Sequence, residues 1–139
     1  MSSKNKIVVL HKGWNPTSFY WLSHLSPNFI DFKNNFNLDL IYSSDTIILV
    51  RYIPFKYLLH LFKLHRKNKK IILFLDDDLL SLNIFSRLPI KYRLKLFFRV
   101  FCFKNILRFF IKEIWVTNHK LKKKVFSQLN YQFNIKVLD

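Results

Sequence analysis

The chain has 139 residues, about the size of one domain, and half of them are hydrophobic, which excludes a disordered tail and allows a packed core. Lysine and arginine number 24 against 8 acidic residues, and the resulting net charge of +16 draws anions such as phosphate, nucleic acid or an acidic lipid leaflet. One glycine, Gly13, and one cysteine, Cys102, exclude a glycine-rich phosphate loop, an internal disulfide and a thiolate zinc cluster.

The first apolar run, Ile7-Val8-Val9-Leu10, reads as a buried strand that ends in His11-Lys12-Gly13. Four apolar residues are too few for a signal peptide. Pro16 opens a helix with Asn15 as its cap, apolar residues recur at helical spacing from Ser18 to Leu25, and Pro27 ends the segment. Phe36 to Tyr42 fits either a short helix or a strand and is taken as a weak second element. Thr46 to Val50 is a buried strand closed by Arg51. Phe55 to Arg66 forms a helix with Leu58, Leu61, Phe62 and His65 on one face, and Ile71 to Leu75 is a strand that runs straight into Asp76-Asp77-Asp78.

Ser81 to Pro89 reads as a loop and Ile90 to Lys112 as helical. Its basic residues fall at 91, 95 and 99, then at 104, 108 and 112; the step of five moves them to another face and predicts a kink or two helices. Leu94 to Ile111 is the most apolar stretch, but Lys95, Arg99, Lys104 and Arg108 interrupt it, so it does not meet the need for about 20 mostly apolar residues to span a bilayer. Ile114 to Val116 is a strand ended by Thr117-Asn118, His119 to Leu129 a basic helix, and Ile135 to Leu138 a last strand. Continuous apolar strands alternating with helices predict an α/β fold: one Rossmann-like domain over residues 1–139, an open parallel sheet with helices on both faces.

In such sheets ligands bind beyond the carboxyl ends of the strands. That rule selects Gly13 to Asn15, Arg51-Tyr52, Asp76 to Asp78 and Thr117 to His119. Three adjacent carboxylates repel one another unless a cation or hydrogen-bond donors offset the cost. They suit a divalent metal, a rim for sugar hydroxyls, or a helix cap; Arg51 is placed to pair with one of them or to bind a phosphate. His11, at a strand end, is the one histidine that is a site candidate, and a core or loop role fits it better. The basic stretch from Lys91 to Lys112, interleaved with phenylalanines, fits a helix that buries Phe and solvates Lys, a helix on an anionic leaflet, or a nucleic-acid surface; no helix-turn-helix, zinc finger or RNP-like string favours the last.

Asp45, Thr46 to Arg51, the helix after them, and Lys69 to Leu79 resemble the N-terminal domain of GT-B glycosyltransferases, where a strand preceded by Asp and followed by Arg leads through a helix to a strand ending in paired or triple Asp. Glu113 to Leu121 and Ile135 to Leu138 resemble later segments of the same domain, with Asn118-His119 standing where that group often has Thr-Glu. The resemblance implies an acceptor-binding half for surface polysaccharide or lipopolysaccharide synthesis, with Gly13, Trp14, Arg51, Asp76, Asp77 and Thr117 on the acceptor side. It implies no metal and no cofactor in this domain, and a glycan or lipid-linked acceptor as partner. The donor-binding domain is missing from the chain, so the resemblance implies a truncated product, or one completed by a separate donor-binding chain, inactive alone. Lys91, Lys95, Arg99, Lys104 and Arg108 would face the anionic inner surface of the membrane in a cytoplasmic, peripheral protein. The readings left beside it are a metal-dependent GT-A glycosyltransferase using Asp76 to Asp78, and a basic membrane or nucleic-acid module without catalysis.

Overall fold

The computed structural model describes residues 6–13, 15–34, 36–51, 54–77, 88–129 and 133–138. Six strands, β1 (Ile7–His11), β2 (Asn28–Asp31), β3 (Thr46–Val50), β4 (Lys70–Leu75), β5 (Glu113–Val116) and β6 (Asn134–Val137), form one sheet. The order is β2-β1-β3-β4-β5-β6 and every pairing is parallel. Five α-helices alternate with them: α1 (Pro16–Leu22), α2 (Leu38–Ser43), α3 (Leu58–Arg66), α4 (Ile90–Asn105) and α5 (His119–Gln128). The chain is thus α/β with an all-parallel open sheet, consistent with a single Rossmann-like domain.

Alternation along the strands divides the core in two. Val8, Leu10, Ile47, Leu49, Ile71, Leu73, Leu75, Ile114 and Val116 pack with Ile41 of α2, Leu61 and Leu64 of α3, and Leu121 and Val125 of α5. Val9, Ile48, Val50, Ile72 and Phe74 face the other way, against Leu22 of α1 with Trp21, Leu25 and Phe29 around it. Both faces being covered explains the unbroken apolar runs of β3 and β4. Each fully buried Ile, Leu or Phe contributes about 1.5–3 kcal/mol.

At the amino end of the sheet Glu113 ties three strands together. Its carboxylate meets Lys70 of β4 at 2.9 Å and Lys136 of β6 at 3.3 Å, and accepts from Trp115 Nε1 at 3.0 Å. Burial pushes this carboxyl up, but hydrogen bonds from Lys70, Trp115 and Lys136 outweigh it and hold the group below its ordinary value.

Four details of the sequence reading change. The second element of the sheet is β2, Asn28 to Asp31, a four-residue edge strand with polar ends that carries too little apolar signal to stand out. The 36–42 segment resolves into a helix: Asn37 Oδ1 accepts from Leu40 N at 3.0 Å, and the cap fixes α2. On α3, which follows a turn of 3-10 helix (Phe55–Tyr57), Leu61 and Leu64 are buried with Leu58 packed beside them, whereas Phe62 is 48% exposed. The expected kink or two helices does not take the form of two helices divided between residues 99 and 104: α4 is one continuous helix to Asn105, and a 3-10 turn follows at Leu107–Phe109. Of the predicted loop from Ser81 to Pro89, residues 81–87 lie outside the described residues, as do Trp14, Tyr52 and Asp78.

The corrected face of α3 is testable by urea unfolding. Leu64→Ala is expected to cost about 2–5 kcal/mol, as for a buried leucine, and Phe62→Ala less than about 1 kcal/mol. Equal costs would contradict the packing described.

Candidate functional site at the carboxyl edge of the sheet

The strand order reverses direction between β1 and β3, so the connections from these neighbouring strands leave in opposite senses. Gly13 and Asn15 follow β1, Arg51 follows β3, Asp76 and Asp77 follow β4, and Thr117 and Asn118 follow β5.

Arg51 has φ 65°, in the left-handed region that costs a non-glycine residue about 1–2 kcal/mol. Three contacts hold it there. Its N–H donates to the Phe74 carbonyl at 2.9 Å, extending the ladder to β4. Its Nε and Nη2 then donate to Asp76 Oδ1 and Oδ2, each at 2.7 Å, a two-pronged fork. Nη2 also reaches Asp77 Oδ2 at 2.9 Å. Asn15 Nδ2 adds a contact to Asp76 Oδ2 at 3.4 Å, while Asn15 Oδ1 caps α1 by accepting from Thr17 N at 3.1 Å.

The Asp76 side chain is 1% exposed and that of Asp77 is 61% exposed, so adjacent identical residues do different work. Burial pushes the Asp76 carboxyl up; the hydrogen bonds and charge of Arg51, with the Asn15 amide, outweigh it, and the group sits below its ordinary value. It is therefore a carboxylate at neutral pH, and both its oxygens are spoken for. Asp77 presents its carboxylate to solvent beside a cavity of about 180 Å³, lined by Asp76, Asp77, Asn118, Lys120, Leu121 and Lys124. Asn118 Oδ1 caps α5 by accepting from Leu121 N at 2.8 Å.

The structure thus brings Arg51, Asp76 and Asp77 into one network with Asn15. Gly13 lies on the same edge but belongs to a neighbouring turn: at φ 69° its N–H donates to Asp31 Oδ1 at 3.2 Å, and its carbonyl lies 2.7 Å from His11 Nδ1. The Asp31 carboxyl is held low chiefly by the Lys33 N–H, against burial, with help from the Gly13 N–H and the nearby His11. His11 accordingly serves the loop. Thr117 does not line the cavity; its hydroxyl accepts from Asn118 Nδ2 at 3.4 Å. Lys120 and Lys124 do line it, and their spacing of four on the first turns of a helix that follows a strand is the sequence signal that would have found them. Among the described residues no group of three His, Cys, Asp or Glu side chains is placed to hold a metal ion. Lys91, Lys95 and Arg108 are exposed; the side chains of Arg99 and Lys104 lie outside the described residues.

No protein-family model, curated protein or solved structure matches the chain.

Two measurements probe this edge. Arg51→Gln leaves Asp76 buried without its cation and is expected to cost about 2–3 kcal/mol, below the usual figure for a broken buried pair because the guanidinium is one-third exposed. Arg51→Gly loses the same pair but relieves the backbone, so it should be about 0.5–1 kcal/mol milder. In acid the sign follows from a carboxyl lowered by folding: the stability it supplies is full above the unfolded value near 4 and is lost as pH falls through the lower folded value. Asp76→Asn should flatten that acid limb in thermal melts taken across the range.

Proposed function

We propose that the chain is the acceptor-binding half of a GT-B type glycosyltransferase, acting on a glycan or lipid-linked acceptor in surface polysaccharide or lipopolysaccharide synthesis. One observation carries this reading: the arginine that ends β3 is forked onto the aspartate that ends β4, and this leaves a second aspartate exposed on the rim of a small polar cavity. Carboxylate, amide and ammonium groups converging on one edge supply acceptors and donors in alternation, which is what a polyhydroxylated ligand needs for its orientation. In this reading Asp77 accepts from sugar hydroxyls, Asn118 and Lys120 donate, and Asp76 positions Arg51. The chain has one glycine and no phosphate-binding loop, so donor binding falls to a separate domain.

The competing metal reading needs Asp76 as a ligand. Its two oxygens already accept from Arg51 at 2.7 Å, and displacing that fork would strand a cation beside a metal ion.

The reading also places the domain on an anionic membrane surface. Residues 79–112 carry eight lysines and arginines and no acidic residue. On α4, Ile90, Leu94, Phe97 and Phe98 are more than half exposed and fall at i, i+4, i+7 and i+8, one stripe of a helix. Lys91 and Lys95 flank that stripe on one side and Arg93 on the other, an arrangement that lets apolar side chains enter the acyl boundary while cations meet headgroups. No described helix is long and apolar enough to cross a membrane.

Saturation-transfer NMR with a panel of free sugars and nucleotide sugars tests the site. Signal from sugars that Asp77→Asn abolishes supports the proposal; nucleotide-sugar binding that requires Mn²⁺ overturns it in favour of the metal-dependent reading. For the surface, flotation with vesicles of phosphatidylglycerol and phosphatidylcholine should weaken roughly 30-fold in Lys91→Gln/Lys95→Gln, at about 1 kcal/mol per basic residue. Equal binding to neutral vesicles would contradict it.

A further inference from the structure

We infer that the groove between α2 and α3 is a binding site for a phosphate group. It lies among elements that the edge site does not use, and it has a volume of about 590 Å³ lined by Leu38, Tyr42, His60, Lys63, Arg66 and Lys67. Helical spacing builds both walls. Leu38 and Tyr42 are one turn apart on α2; His60 and Lys63 are one turn apart on α3, and Lys67 is the C-cap one turn further on.

Three cations therefore meet over an aromatic and aliphatic floor, with no carboxylate in the lining. Among the described residues Lys63, Arg66 and Lys67 form no ion pair, whereas Lys69 and Lys70, just beyond, both do. Like charges one turn apart on a helix repel, and Lys63 and Lys67 are such a pair. The α3 carboxyl end attracts cations and accounts for some of this basicity, but not for its convergence on a groove. A bound anion offsets the repulsion, and a phosphate offers enough oxygens for an arginine fork and two ammonium groups together.

The floor is fixed before any ligand arrives. Tyr42 Oη and His60 Nδ1 are 2.9 Å apart, which sets the imidazole orientation. Behind them Phe36 and Tyr57 pack with ring centroids 4.2 Å apart, and Tyr57 Oη donates to the Phe32 carbonyl at 3.1 Å. The Lys67 ammonium sits 5.0 Å above the Tyr42 ring, at the mouth of the groove. The ligand so recognised is a phosphomonoester or diphosphate, free or carried as a lipid headgroup.

The test is a titration of the full chain with inorganic pyrophosphate at constant ionic strength, following the His60 ring resonances. A saturable shift is expected, weakened roughly tenfold or more in Lys63→Gln/Arg66→Gln. The variant Lys122→Gln/Lys123→Gln removes the same charge from α5 and should change the affinity less than about twofold, as screened distant charges do. A second arm compares vesicles of phosphatidate with vesicles of phosphatidylglycerol at matched charge. Preference for phosphatidate that depends on Lys63 and Arg66 assigns the phosphate to a headgroup; pyrophosphate binding without it assigns a free ligand. The inference is overturned if the His60 shift is absent or non-saturable, or if the α5 variant weakens binding as much as the groove variant.

Discussion

The carboxyl edge of this sheet depends on one ion pair. Asp76 is buried where a lone carboxylate would be expelled or protonated, and Arg51 adopts a backbone conformation that arginine seldom takes. Each makes the other tolerable. The fork neutralises the buried carboxylate, and the carboxylate, with the Phe74 carbonyl, holds the arginine in its left-handed turn. Because Arg51 and Asp76 directly follow adjacent strands, the pair joins the carboxyl ends of β3 and β4. Asn15 extends that constraint across to β1, so three strand ends form one rim. Strain at such a position is what a site with a required geometry exhibits.

The charge of the chain is distributed unevenly, and this shapes the rest. Of the eight acidic residues none falls between 79 and 112. At the amino end Glu113 joins Lys70 and Lys136; at the carboxyl end Asp76 and Asp77 engage Arg51. Carboxylates are thus spent on the sheet, and the helices keep most of the cations. The cations left over lie on α4 beside exposed phenylalanines and on α3 beside an ordered tyrosine and histidine.

Much of this was legible in the residues. The runs Thr46 to Val50 and Ile71 to Leu75 are buried on both faces, so their signal is continuous and their bounds follow directly. Asn15 before Pro16 marks a helix start because cap and ring both act locally. The pairing of Arg51 with the aspartates could be anticipated because their strands are adjacent in register, with Val50 opposite Phe74. What failed was set by tertiary context. Edge strand β2 has one buried residue, Ile30, and a strand with so little to bury leaves no alternation to read. On α3 Leu61, Phe62 and Leu64 are all apolar, so periodicity alone does not decide whether Phe62 or Leu64 faces the sheet. The cavity beside Asp77 draws on Lys120 and Lys124, which sequence assigns only to a basic helix; their role follows from where β5 delivers α5. The single glycine was legible in another sense: with Gly13 at one left-handed position, Ser26, Arg51 and Asn68 must adopt the others.

The central claim is that Arg51 and Asp76 act as one unit that holds the rim. A double-mutant cycle of Arg51→Gln and Asp76→Asn, read by urea unfolding at neutral pH, measures it directly. The account predicts a coupling of about 1–3 kcal/mol, with the double variant more stable than the sum of the single losses implies. Additivity within about 0.5 kcal/mol would contradict it, and would mean that the two residues are neighbours rather than partners.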